Sequence, residues 1–233
     1  AWAIIGFFWL IIYPFVVLAI IGSLVGIAYL LKKYFAYREE RSKVDCESCG
    51  EKNYPCATEC FSCHTLLTTP VRVGFFGQSK KNKPAENVEK HKLLLTEKKR
   101  CPACGTRLET RNPHQACPSC GHELFKDPQF AQDYLSMVGN RLFPVLLICL
   151  GLSFIPFIGL VIGVIIYRVN LVAPFRRYIP LHSSFFIKWM IRLFFFILIA
   201  VQLIPGVGAV VVPVMALINY RSYRRSFVKV LAA

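Results

Sequence analysis

The chain has 233 residues, of which 55% are hydrophobic and 14% aromatic, with 28 Lys and Arg against 13 Asp and Glu and a mean hydropathy of +0.47. This composition excludes a disordered chain and is too apolar for an ordinary soluble domain. All 13 acidic residues lie between Glu39 and Asp133, so residues 1–38 carry +3, 39–133 carry +2 and 134–233 carry +10. The basic excess therefore sits on the apolar parts, whereas a nucleic-acid binder would place it on the polar insert. It fits the positive-inside bias of cytoplasmic flanks, with contact to anionic lipid headgroups at about 1 kcal/mol per surface Lys or Arg. The absence of carboxylates after Asp133 speaks against a cation pump in the C-terminal half.

Residues 1–33 read as an N-terminal transmembrane helix. Ile4 to Leu31 carries no charge, and 28 residues make a helix of roughly 42 Å, longer than a hydrocarbon core of roughly 30 Å. Tilt, or a kink at Pro14, absorbs the surplus, and Trp2, Trp9 and Tyr13 suit an interfacial belt at one end. The run is too long for a cleavable signal and lacks a basic start. A basic juxtamembrane linker, 34–45, follows Lys32 and Lys33. With Arg38, Arg41 and Lys43 it sets the next segment on the cytoplasmic side and the N-terminus outside.

The insert holds nine of the ten cysteines, eight of them in four Cys-x-x-Cys pairs. Cys46 and Cys49 are followed by Cys60 and Cys63, and Cys101 and Cys104 by Cys117 and Cys120. One such turn lets two thiolates grip a metal, and a second completes a tetrahedron at about 2.3 Å per Zn–S bond. Glycines after Cys49, Cys104 and Cys120 suit the tight turn that aims backbone N–H groups at sulfur. Four thiolates also suit an iron–sulfur cluster, and Cys60-Phe-Ser-Cys63-His64 is formally a haem attachment string. Redox disulfides would want an oxidising compartment or a thioredoxin-like pattern. Two Zn²⁺ ions in closed Cys₄ sites are favoured, with no open position for catalysis. A segment of this size with few large apolar residues needs the metal to fold. Cys56 reads as a spare thiol and Cys149 as an apolar membrane residue.

The stretch from about 46 to 124 resembles the double zinc-ribbon family. Its first unit is Cys46-x-x-Cys49-Gly-x-x-Asn53 followed by Cys60-x-x-Cys63-x-x-x-Leu67, and its second carries the CPAC and CPSC knuckles. It departs from the family pattern at His64, where the last knuckle more often has Gly, and at Cys56. The resemblance implies ribbons at 46–69 and 101–124; the stretch between, 70–100, with Lys80, Lys81, Lys83, Lys98, Lys99 and Arg100, reads from its charge as a solvated, basic, partly helical linker in preference to a membrane-surface patch.

The C-terminal half repeats itself at an offset of 49 residues. Ile155-Pro156-Phe-Ile-Gly159 aligns with Ile204-Pro205-Gly-Val-Gly208, Val161 with Val210, Asn170 with Asn219, and Arg176 with Arg225. Pro-x-x-Gly can turn a chain inside a bilayer when protein or water satisfies its backbone. Two simple spans would place Arg168, Arg176, Arg177 and Lys188 outside, whereas two helical hairpins, 134–178 and 185–228, keep every Arg and Lys cytoplasmic. The arm from Leu142 to Ile155 is 14 residues, roughly 21 Å, so the hairpins are expected to enter from the cytoplasm and penetrate partway. Their turns are Pro156, Gly159, Pro205 and Gly208. The stretch Leu203-Ile-Pro-Gly-Val-Gly208 with Pro213-Val214 resembles the hairpins of the CysZ-type permease family, which implies anion passage. The overall plan is similar to LetA/PqiA-type membrane proteins of lipid transport, although here both ribbons share one insert.

No catalytic constellation emerges. Histidines 64, 91, 114, 122 and 182 are scattered, with His114 and His122 bordering the second ribbon, where they could serve as alternate ligands but fit loop positions better. No Gly-rich phosphate loop or nucleophile motif is present. Asn170 and Asn219, with Arg176 and Arg225, form a possible polar membrane site, and pinning of a hairpin arm is its simpler role. The sequence thus predicts an α-helical integral membrane protein with a small β-rich double zinc-ribbon cytoplasmic insert, placed in the cell membrane (in a bacterium, the inner one). The expected function is non-enzymatic, a structural or interaction subunit of a larger membrane assembly with lipid and protein partners and no nucleic acid. The alternative is a component of a lipid or small-anion transport system.

Overall fold

The uncharged N-terminal run ends in a helix, α1, described at residues 25–31 and 33–40. Val25, Ile27, Leu30 and Leu31 project outward without cover, and Lys33 and Arg41 lie over the rings of Tyr29 and Tyr37, 5.3 and 4.8 Å from the centroids. The structure, a computed structural model, describes residues 19, 22–23, 25–31, 33–74, 77–154, 158–180, 189 and 208–232. Trp2, Trp9, Tyr13, Pro14, His182, the turn residues Pro156 and Pro205, and most of the first arm of the second hairpin lie outside the described residues.

The insert contains two short antiparallel sheets. Strands β1 (Val44–Asp45) and β2 (Lys52–Asn53) pair Val44 with Asn53. Strands β3 (Val71–Val73) and β4 (Ser79–Pro84) pair Val71 with Pro84 and Val73 with Ser79, with an irregularity between. Helix α2 (Val88–Glu97) follows, its first turn capped by the Asn87 side chain, which accepts from the Lys90 N–H at 3.0 Å. The stretch expected to be a solvated, partly helical linker thus holds the expected helix and, before it, a β-hairpin. Lys83 and Lys90 are exposed and Lys92, Lys98 and Lys99 half-buried, while His91, Leu95, Thr96, Glu97 and Arg100 turn inward and bury.

Helix α3 (Pro128–Gly139) starts with Pro128 at its first position and an Asp127 cap that accepts from the Gln129 N–H at 2.9 Å. It runs through Asn140 and Arg141 into α4 (Leu142–Leu152). Helix α5 (Ile158–Tyr167) returns, widens into a π segment (Arg168–Val172) and closes with α6 (Ala173–Arg176). The widening has a local cause: Pro174 has no N–H for the carbonyl four residues back, and the Ala173 N–H reaches instead to the Arg168 carbonyl. Helix α7 (Gly208–Leu231) packs against α4 and α5, and α5 presents Gly163 to it. A Cβ there would lie 2.8 Å from Val212 Cγ1, so the close crossing requires glycine.

Among the described residues, Pro128–Leu152 (25 residues) and Gly159–Arg176 (18 residues) are long and apolar enough to cross a membrane. The first is longer than the 14-residue arm expected from sequence, because α3 feeds into α4 without a chain reversal. Apolar side chains cover the outside of this body, with Phe143 71% and Phe154 75% exposed and Leu147, Ile148, Val161, Ile162, Ile165 and Val210 alongside.

Candidate metal centres

All four Cys-x-x-Cys turns are built on one local plan. The residue before the first cysteine pairs with the residue six beyond that cysteine: Asp45 with Lys52, Glu59 with Leu66, Arg100 with Arg107, and Ala116 with Glu123. The N–H four residues after the first cysteine donates back to its carbonyl, from Gly50 (2.8 Å), His64 (3.1 Å), Gly105 (3.0 Å) and Gly121 (2.9 Å). Each of these residues has a left-handed backbone, with φ of 73°, 57°, 71° and 70° in that order. His64 therefore fills a glycine position in glycine's conformation, so the departure from the ribbon pattern is chemical and leaves the turn intact.

These turns bring the sulfurs together. Cys46 and Cys63 Sγ lie 3.7 Å apart, Cys49 and Cys60 3.6 Å, Cys101 and Cys120 3.6 Å, and Cys104 and Cys117 3.5 Å. Within each group of four, all sulfurs lie within 4.8 Å of one another. A tetrahedron with Zn–S bonds of about 2.3 Å has edges of about 3.8 Å, so each cage has room for a single ion. The two tetra-cysteine groups are positioned to bind metal, as their spacing predicts. The haem string is disposed of by the same geometry, because Cys60 and Cys63 face Cys46 and Cys49. A cluster of several iron atoms would need the sulfurs further apart.

Polar neighbours act on the sulfurs. Asn53, buried, donates through Nδ2 to Cys60 Sγ at 3.3 Å and accepts the Phe61 N–H on Oδ1 at 3.0 Å. The hydroxyls of Thr65 and Thr106 lie 3.2 Å from Cys63 and Cys104 Sγ, at equivalent places in the two centres. The Thr65 hydroxyl and backbone N–H hold the Cys63 thiol down to about 6. Cys49 has the Glu51 backbone hydrogen bond favouring its thiolate, yet its hydrogen bonds to neighbouring sulfurs and desolvation push it up to about 12. Crowded thiols without a cation cannot all ionise, and a divalent ion removes that conflict.

The centres differ in cover. Cys49 and Cys63 are exposed, whereas Cys101, Cys104 and Cys117 are buried and Cys120 is partly buried. The second turn belongs to one core with the helices: Leu124 and Phe125 join Tyr134, Phe175, Tyr178 and Phe227. Phe125 sits at the hub, with ring centroids 5.3 Å from Tyr134, 5.4 Å from Tyr178 and 5.5 Å from Phe227. The ribbons also touch each other, the N–H groups of Thr58 and Glu59 donating to the Ala103 carbonyl at 2.8 and 3.1 Å.

Cys56 and Cys149 are buried outside both cages. Cys56 lies beneath Arg100, the residue that sequence reasoning placed on a solvated linker. Arg100 is fully buried, donates through Nη2 to both carboxylate oxygens of Glu39 on α1, and donates to the carbonyls of Gly77 at 2.6 Å through Nε and Gly105 at 2.7 Å through Nη1. A lone charge in a run of lysines carries no sequence signal of burial, and the equivalent ladder positions Asp45, Glu59 and Ala116 are not buried. His114 donates through its Nε2–H to the Val230 carbonyl at 3.2 Å, and neither it nor His122 belongs to a cage. Asn170 and Asn219 each donate to the carbonyl four residues back, Ile166 at 2.8 Å and Met215 at 3.0 Å, and Asn219 also to the Tyr167 hydroxyl at 3.2 Å. The same bond thus recurs 49 residues apart. Arg176 and Arg225 are exposed. Gly159 and Gly208 fall within the first turns of α5 and α7.

Compared with known protein families, with characterised proteins and with solved structures, the chain matches none. The resemblances of its ribbons and hairpins rest on the residues that carry them.

Proposed function

We propose that the chain is a non-enzymatic membrane protein in which two zinc ions staple a cytoplasmic double ribbon onto helical hairpins. In that arrangement it serves as a structural or interaction subunit of a larger membrane assembly. The observation that carries this is the continuous core running from the second tetra-cysteine cage through Phe125 into α3, α6 and α7. The ribbons are built onto the helical body and present their outer faces as a rigid surface. Closed four-sulfur coordination supports zinc in a structural role and leaves no position for substrate. The outward apolar side chains of α1, α4 and α5 support burial in lipid, with the N-terminus outside and the ribbons on the cytoplasmic face. A lipid or small-anion transport role is less well supported, since Asn170 and Asn219 spend their amides on their own helices and on Tyr167.

The test uses the full chain in cell membranes. Alkaline carbonate is expected to leave it in the pellet, and protease is expected to cut the insert only in vesicles that expose the cytoplasmic face. Cross-linking through ribbon-surface residues is expected to capture a defined set of companions. Release by carbonate, or cleavage from the outer face of intact cells, would overturn the placement.

A further inference from the structure

A groove of about 500 Å³ lies between the end of α3 and the polar half of α7, away from both metal cages. Arg221, Arg224 and Arg225 line one side, and Gln132, Ser136 and Asn140 the other. Tyr220 and Gly139 form its floor, where a Cβ on Gly139 would meet the Tyr220 hydroxyl at 3.3 Å. The three arginines stand at positions i, i+3 and i+4 of α7, which places them on one helical face. The lining contains no carboxylate, and these arginines have no ion pair among the described residues. Residues 134–233 contain no Asp or Glu side chain that could neutralise them.

The level of the groove narrows the ligand. Directly beyond Asn140 and Arg141 the surface turns apolar, beginning with Phe143 and continuing through Leu147 and Leu150. On α7, outward-facing Val210 precedes Arg221 by 11 residues, roughly 16 Å along the axis, about half the thickness of a hydrocarbon core. Cations grouped at the edge of an apolar belt, beside amide donors and in a space of small-ligand size, suit a phosphate with an attached polar group. We infer that this groove binds a phosphate-bearing anion, supplied as an anionic lipid headgroup when the chain sits in a bilayer. The lipid source rests on the proposed membrane placement. The anion site itself rests only on the groove.

The experiment measures binding of short-chain phosphatidylglycerol, short-chain phosphatidylcholine and inorganic phosphate to the full chain in detergent, by native mass spectrometry and by hydrogen-exchange protection of 132–140 and 220–226. Phosphatidylglycerol is expected to bind in preference to phosphatidylcholine and to protect both segments. The R221Q/R224Q/R225Q variant is expected to weaken it at least about tenfold, the order set by removing three charges that each attract the headgroup. A charge-matched K52Q/R72Q/K83Q variant in the insert is expected to change binding less than about twofold, since none of these residues lines the groove. Metal content of each variant reports its fold. Arginine-dependent binding of inorganic phosphate without the lipid supports the site with the free anion as ligand. Binding of neither probe, or binding indifferent to the three arginines, would overturn the proposal. Carbonate extraction, run in parallel, reports on membrane placement independently of either arm.

Discussion

At the residue scale, the decisive positions are those where the turn plan meets a second constraint. Gly50 and Gly121 have left-handed backbones with open space around them, whereas a Cβ on Gly105 would also lie 2.9 Å from Cys56 Sγ. Alanine at Gly50 or Gly121 should cost about 1–2 kcal/mol from backbone conformation alone. G105A should cost more, measured as the shift in a chemical denaturation midpoint. Equal losses at all three would show that Cys56 does not press on the turn. His91 adds a pH dependence. Its Nε2–H donates to the Cys56 carbonyl at 2.9 Å, its Nδ1 is buried without a partner, and burial followed by the Arg72 charge lowers its pKa from 6.5. As pH falls below that value the unfolded chain takes up a proton that the folded chain refuses, so stability falls with acid. H91Q should flatten this part of the profile below pH 6.5, with metal content monitored; an unchanged slope would assign the whole dependence to other groups.

Between elements, two ionic junctions tie the chain together. Glu39 on α1 holds Arg100, with Arg107 at 3.3 Å, and so fastens the N-terminal helix to the ribbon core. Glu97, at the end of α2, receives Arg141 at 2.7 Å, while Arg177 and Tyr178 donate to the carbonyls of Glu97 and Thr96. Burial opposes the Glu97 charge, but the Arg141 hydrogen bond and the surrounding cations outweigh it and hold the carboxyl below its ordinary range. E39Q leaves Arg100 buried and unmatched and should cost about 3–5 kcal/mol. E39Q/R100M should recover much of that loss, because a packed apolar side chain can replace a buried pair. Full additivity of the two changes in a double-mutant cycle would contradict a direct junction.

The same junctions explain what sequence could reveal. The cages were legible because metal chemistry fixes residue type and spacing together, and the apolar helices because hydropathy is additive along a run. Arg100, Phe125 and Glu97 were not legible: each is ordinary in sequence and acquires its role from a partner 44 or more residues away, such as Arg141 for Glu97 or Phe227 for Phe125. The β-hairpin at 71–84 and the buried face of the helix after it were hidden by lysines, whose charge signalled solvent while the intervening residues turned inward.

Across the whole molecule, the two cages are unequal parts of one structure. The first has two exposed sulfurs, and the second is sunk in the core it shares with the helices. A chelator should therefore remove metal in two phases, the first cage emptying before the second, and C49S/C63S should abolish the fast phase. Loss of the second metal should loosen the Phe125 cluster and expose α3 and α7 to hydrogen exchange, which loss of the first should not. Simultaneous release in one phase would mean that the cages are not independent in this way.

The most direct measurement is elemental analysis of the full chain purified under reducing conditions, paired with a count of thiols open to alkylation before and after denaturation. Two zinc ions per chain are expected, with the eight cage cysteines protected in the native state. A preparation that is folded yet contains no transition metal, or that holds iron in clusters, would contradict the account.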